Sequence, residues 1–233
     1  MYKRIIILLI MFVILPYGVD AQTLNLNEKD LKMDISDEFT VFTRDNYVGN
    51  PNLNKFGLTE EFMKKVFEND EVYIDAINDK ELEFLLFIEE DPYLDINNLS
   101  NYDDEYLENL ISDYESFENI LSASIYKNNY NYLYLSQYNG SFYAINYYTI
   151  VNGRGYKFRI QTIKEIDETE ELYLKNIVDS AEFEIDENLK EETKDKDVEF
   201  DLKKYIFRAI RGAIIGVFAY IVVKFCMKKF KLN

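Results

Sequence analysis

Histidine and tryptophan are missing from the 233 residues, and cysteine occurs once, at Cys226. Without histidine, the side chain that titrates nearest neutral pH and the commonest zinc ligand is unavailable. The single cysteine lies in an apolar C-terminal segment, so the rest of the chain has neither disulfides nor a cysteine nucleophile. The absence of tryptophan removes a platform on which sugars commonly stack. No phosphate loop, dinucleotide fingerprint, G-x-S-x-G or H-E-x-x-H occurs, and Gly153-Arg154-Gly155 is too short to be more than a turn. No catalytic residue, metal ligand or cofactor is assigned.

Bases are also scarce. The net charge is −17, but from Gln22 to Tyr205 the chain holds 42 acidic and 18 basic residues, a balance of −24. Such a body repels phosphate backbones and excludes nucleic acid as a partner. The charge reads first as a solvated surface, and second as attraction for cationic partners or calcium. Hydrophobic residues make up 48% and aromatic residues 16%, enough for a packed core.

The first 21 residues read as a secretory signal peptide. Lys3 and Arg4 precede an apolar run, Ile5 to Leu15, broken by Pro16, and Val19-Asp20-Ala21 supplies small residues at a cleavage site. A retained N-terminal anchor is the alternative, although the run falls short of the roughly 20 residues that span a bilayer.

At the other end, the uncharged stretch Gly212 to Val223 would make only about 18 Å of helix. Ile206 to Met227 gives about 33 Å, enough to cross, with Arg208, Arg211 and Lys224 able to reach the headgroups. Basic residues flank both ends equally, so orientation rests on the signal peptide: body outside, residues 228–233 in the cytoplasm. Gly212 and Gly216 form a GxxxG spacing that permits close approach of a second helix. Residues 186–205 read as a charged stalk, or as a surface helix continuing the domain, and 22–29 as a short flexible leader.

Residues 30–185 then form one α+β domain. Phe39 to Arg44, Val72 to Ile77 and Leu82 to Ile88 read as strands. Thr59 and Asp103 cap helices, the second running to Phe117. Strands at 130–138, 141–151 and 154–163 are separated by Asn139-Gly140 and Asn152-Gly153, and a last helix covers 168–181. The pattern is an antiparallel sheet with two or three packed helices.

Two-residue turns at both Asn-Gly pairs fix which side chains share a face. Tyr132, Tyr134, Tyr143, Ile145, Tyr147, Tyr156, Phe158 and Ile160 form the evident core side. Leu133, Leu135, Ala144, Asn146, Tyr148, Lys157, Arg159 and Gln161 form the other. Asn146, Tyr148, Lys157, Arg159 and Gln161 are the candidate partner-binding patch, basic and aromatic on an acidic body. The plainer reading is a solvated sheet face with Arg159 paired to local carboxylates.

The succession TVFTRDN, NPNLNKFGLTEEFMKKVFENDEVYIDAIND, YYTIVNGRGYKFRIQT and LKNIVDSAEF resembles the PsbP-like fold. More narrowly, it resembles exported single-span proteins of uncharacterised role in low-GC Gram-positive bacteria. The resemblance implies a central antiparallel sandwich with helices against it, and an accessory or partner-binding role.

Carboxylates are the one plentiful catalytic group. Glu89-Glu90-Asp91 and Asp103-Asp104-Glu105 could supply a glycosidase-like pair, although neighbours on a strand or helix point apart. Residues 91–105 offer oxygen ligands but lack the EF-hand pattern, so an acidic loop before a helix cap is the better reading than a calcium site. Asn98 and Asn139 head sequons, meaningful only in a eukaryote. The expected role is a membrane-anchored extracytoplasmic module docking a protein or envelope component. The alternatives are a carboxylate-only envelope hydrolase, and a ligand or calcium sensor acting through a partner helix.

Overall fold

A computed structural model describes residues 21–69, 72–90, 96–186 and 189. The expected signal peptide up to residue 20, most of the stalk, the span 206–227 with Gly212 and Gly216, and the tail lie outside the described residues. Among the described residues no helix is long and apolar enough to cross a membrane.

Among the described residues, ten strands and three α-helices make an α+β domain. β1 (Ala21–Leu26), β2 (Leu31–Ser36) and β3 (Phe39–Thr43) come first. Helix α1 (Glu60–Asn69), β4 (Val72–Asn78), β5 (Glu83–Glu89) and helix α2 (Asp104–Glu115) follow. β6 (Ile120–Lys127), β7 (Asn131–Tyr138), β8 (Tyr143–Val151), β9 (Arg154–Thr162), helix α3 (Glu168–Ser180) and β10 (Glu182–Phe183) are the remaining elements among the described residues. Seven strands form one antiparallel sheet in the order β3-β4-β5-β9-β8-β7-β6, and β1-β2-β10 form a smaller one.

Residues 22–29, expected as a flexible leader, correct that reading: they belong to β1 and a 3-10 turn, and β1 pairs with β2 along its whole length. The reason lies in β2, where Leu31, Met33 and Ile35 alternate inward and are buried. Two strands that face one another across a turn hydrogen-bond more completely than either could alone.

The helix starts follow local chemistry. Thr59 Oγ1 accepts from the Phe62 amide at 3.2 Å and Asp103 Oδ1 from the Tyr106 amide at 2.9 Å. Asp167 caps α3 in a reciprocal box with Glu170. The β8–β9 turn is the expected two-residue one: Val151 pairs with Arg154, and Asn152 and Gly153 hold φ of 53° and 73°. The β7–β8 loop is longer. Tyr138 pairs with Tyr143, and the Asn139 carboxamide accepts from the amides of Ser141 and Phe142. The register therefore moves by two residues, an even number, and the assignment of faces is unchanged.

The sheet is covered on both sides. On one face, Leu174, Ile177 and Val178 of α3 and the inward residues of β2 pack on Ile74, Phe84, Leu86, Phe158 and Ile160. On the other, Met63, Val66 and Phe67 of α1 cover Phe42, Leu85 and Phe87. Leu107, Leu110, Ile111 and Tyr114 of α2 cover Leu133, Leu135, Tyr148 and Ile150 beside them.

Gly155 permits one close contact in this second layer. A Cβ there would lie 2.5 Å from the Tyr148 hydroxyl oxygen and 3.1 Å from its ring. Gly155→Ala is expected to displace Tyr148 and destabilise the domain by about 1–3 kcal/mol in urea unfolding. Adding Tyr148→Leu should return part of that loss, because the colliding ring is gone.

Candidate functional site

Strand pairing places the candidate patch at the centre of the large sheet. Asp75, Leu85, Arg159, Asn146 and Leu135 stand side by side on five successive strands. Two residues along, Ile77, Glu83, Gln161, Ala144 and Gln137 form the next row, and on the other side Phe87, Lys157, Tyr148 and Leu133 line up. The structure thus brings together Asn146, Tyr148, Lys157, Arg159 and Gln161 on one face.

That face is not a surface. Arg159 is 0% exposed, and Tyr148, Asn146, Gln161 and Lys157 are 2% to 5% exposed. Both the docking patch and the solvated face expected from sequence are corrected by this burial. The physical reason is the pair of helices: α1 seals the apolar residues of β4 and β5, and α2 seals those of β7 and β8. The polar strip between them is enclosed as a consequence.

The strip is held by short-range polar contacts. Arg159 Nε donates to Asn146 Oδ1 at 2.6 Å, and Asn146 Nδ2 donates to the Leu135 carbonyl at 3.3 Å. Gln161 Nε2 donates to Glu83 at 2.5 Å. Lys157 Nζ sits 4.2 Å from the centre of the Phe87 ring, and the Arg159 guanidinium carbon 5.8 Å from it. Tyr148 donates to the buried Glu89 across 3.5 Å. Asp75 Oδ1 has no hydrogen-bond partner among the described residues. Burial, with the charge of Glu83 added, pushes Asp75 well above the usual carboxylate range. Burial raises Glu83 to about 7, opposed by the Gln161 hydrogen bond and the Arg159 guanidinium. Tyr114 is pushed up by burial and then by the charge of Glu89.

The carboxylates weighed for catalysis are not assembled as a pair. Glu89 is 6% exposed and turned into the strip. Its neighbour Glu90 pairs with Lys29 and, at 2.9 Å, with Arg154. Despite the opposing effect of partial burial, these two cations hold Glu90 below its ordinary value. Asp103 caps α2 and Asp104 pairs with Lys127, while Asp91 lies outside the described residues. Among the described residues no group of three or more acids is placed to hold a metal ion.

The open surface lies on the opposite face, the one expected to be core throughout. Its middle is core, but α3 and the small sheet stop short of its β6–β7 end. Ser122 and Ser124 of β6 are exposed, and Tyr126, Tyr134, Ser136 and Tyr143 are half-buried. Tyr138 is 37% exposed and stacks on Tyr143 with ring centres 4.5 Å apart. Tyr147 supports the group from below, edge-on to Tyr126 at 5.1 Å and to Tyr134 at 5.2 Å. Glu171, Lys175 and Asp179, spaced four apart on α3, form the rim. Lys175 pairs with Asp179 at 2.7 Å and lies 5.2 Å from the Tyr126 ring centre, and the Tyr126 hydroxyl donates to Asp179. Burial, with Glu171 facing its hydroxyl, raises Tyr134 to about 12. The serines at 122, 124 and 136 carried a signal in the sequence: small polar residues opposite a tyrosine row cannot complete a core.

Two outcomes follow for the enclosed strip. Arg159→Ala is expected to lower unfolding free energy by about 3–5 kcal/mol, since it leaves buried polar groups around an emptied space. Glu83 has a folded value raised above its unfolded one, so its contribution is full below about pH 4.5 and lost as pH rises through about 7. Chemical denaturation at pH 4 and pH 8 should show wild type losing on the order of 1–3 kcal/mol relative to Glu83→Gln across that interval. Parallel profiles would mean that Glu83 is ionised at no cost.

No protein-family model matches the chain, and no curated protein matches it in sequence. In architecture it is similar to the solution structure of cyanobacterial PsbP (CyanoP) from Synechocystis sp. PCC 6803, at 10% sequence identity and a TM-score of 0.44. The match covers 72% of this chain and 96% of that one. This likeness is one of fold.

Proposed function

We propose that this protein is a membrane-tethered, extracytoplasmic module that docks a protein or envelope component on its tyrosine–serine flank. The observation that carries the reading is that flank: a sheet face left half-covered at the end of β7 and β8, and lined with tyrosine and serine. Tyrosine offers large contact area at low entropic cost and serine offers adaptable hydrogen bonds, the composition favoured in binding surfaces. The signal-like start and the apolar C-terminal segment supply the export and the tether.

The direction of the flank agrees with a C-terminal tether. The amide of Asp186 is held at 2.9 Å by the Asn152 side chain, at the β8–β9 turn. Tyr138 and Tyr143 sit at the other end of β8, eight residue steps or about 27 Å away. A chain leaving Asp186 toward a membrane would present Tyr138 and Tyr143 outward.

In the native cell, the full chain is expected to stay with membranes through an alkaline wash and to lose its domain to protease added outside. Release by the wash, or protection from the protease, would reject the tether or its orientation. A photo-crosslinking side chain at Tyr143 should give one dominant product that Tyr138→Ser weakens, while one at Glu105 on α2 should not. Equal, diffuse products from both positions would reject the flank as the docking surface.

A further inference from the structure

The reading above leaves the chemistry of the partner open, and the rim of the flank narrows it. Helix α3 carries Glu171, Lys175 and Asp179 at successive turns of one stripe, facing the tyrosines of β6 to β8. Its last two members already show one mode of recognition. The Lys175 ammonium lies over the Tyr126 ring and pairs with Asp179, so one cation is held by an aromatic face and a carboxylate together.

One turn earlier the same two groups occur without the cation. Glu171 is half-buried and faces the Tyr134 hydroxyl, with Tyr147 close behind. It takes part in no ion pair among the described residues. Beyond it the sheet continues as Ser136, Ser124 and Ser122 toward β6, which has no neighbour on its outer side among the described residues. A half-buried carboxylate beside tyrosine rings, on a body of balance −24, is complementary to an incoming ammonium or guanidinium.

We propose that the flank binds an extended, lysine- or arginine-bearing polypeptide segment, with one basic side chain seated between Glu171 and the Tyr134 ring and small polar neighbours lying on Ser122, Ser124 and Ser136. The proposal rests on the docking role of the flank and goes further by naming the partner's chemistry. Neutral glycans would meet the tyrosines but leave Glu171 without a cation. Acidic partners would be repelled by the rim.

The test uses the full chain in zwitterionic nanodiscs and a fluorescent eight-residue peptide of alternating lysine and serine, with alternating glutamate and serine as control. The basic peptide should bind and the acidic one should not. Glu171→Gln and Tyr134→Ala should each weaken binding at least tenfold. Glu105→Gln and Glu108→Gln, exposed acids on α2 across the sheet, should change it less than twofold. Because Glu171→Gln is a surface-compatible change, an unaltered thermal midpoint would separate lost binding from lost folding. Equal weakening by Glu105→Gln and Glu171→Gln would reduce the effect to general attraction by an acidic body and overturn the proposal. Binding of a chitooligosaccharide that Tyr134→Ala abolishes and Glu171→Gln spares would overturn it in favour of a glycan. If the peptide fails while crosslinking from Tyr143 still gives one dominant product, the cationic chemistry is wrong and the docking surface stands. If both fail, the flank is ordinary surface.

Discussion

The two-residue turn at Asn152-Gly153 is the constraint on which the rest of the structure depends. Both residues adopt positive φ, as this turn type requires, and Val151 is thereby set opposite Arg154. Side chains alternate across a strand, so this single register decides the destination of every residue on β8 and β9. It places Arg159 beside Asn146 and Phe158 beside Tyr147. A slip of one residue would exchange the charged row for the aromatic one and put arginine under α3.

From that register, the two faces of the sheet are closed in different ways. One face receives two helices, each sealing an apolar patch, and the polar strip between them becomes interior. Burying Arg159, Lys157, Asp75 and Glu89 carries a desolvation cost that only close partners can offset. The Asn146, Gln161 and Phe87 contacts supply part of that compensation. The strip therefore acts as a specification of one packing arrangement rather than as a surface for others. The opposite face receives one helix and a narrow sheet, which cannot span all seven strands. Its uncovered end is where tyrosine and serine remain within reach of solvent.

The proposed binding role rests on this asymmetry. The buried Glu89 meets the Tyr148 hydroxyl, burial raises the half-buried Glu83, and the exposed Glu90 is held down by Lys29 and Arg154 against the effect of partial burial. The half-open flank combines rigid rings, small hydroxyls and a rim carboxylate on one helix. Within it, Tyr138 and Tyr143 lie at the far end of the β7–β8 pair from Asp186, the side that the proposed C-terminal tether would leave outward.

Much of the architecture was legible in the sequence, because it depends on local chemistry. The Asn-Gly pairs announced hairpins, Thr59, Asp103 and the last apolar stripe marked helices, and alternation assigned both faces of β7 to β9 correctly. β1, β2, β6 and β10 escaped: β1 and β6 are edge strands that bury little, as the exposed Leu121 illustrates, β10 spans two residues, and in β2 the alternation of Leu31, Met33 and Ile35 was there to be read. Which face was buried escaped for a different reason. A polar side chain looks the same in sequence whether water or two helices lie above it, and coverage is a property of distant segments. The sequence by itself determined the β8–β9 turn, the alternation along β7 to β9 and the grouping of Asn146, Tyr148, Lys157, Arg159 and Gln161. Only the tertiary structure decided that this group lies under α1 and α2 and that the tyrosine face stays partly open, because three helices and a narrow sheet do not cover both faces of seven strands equally.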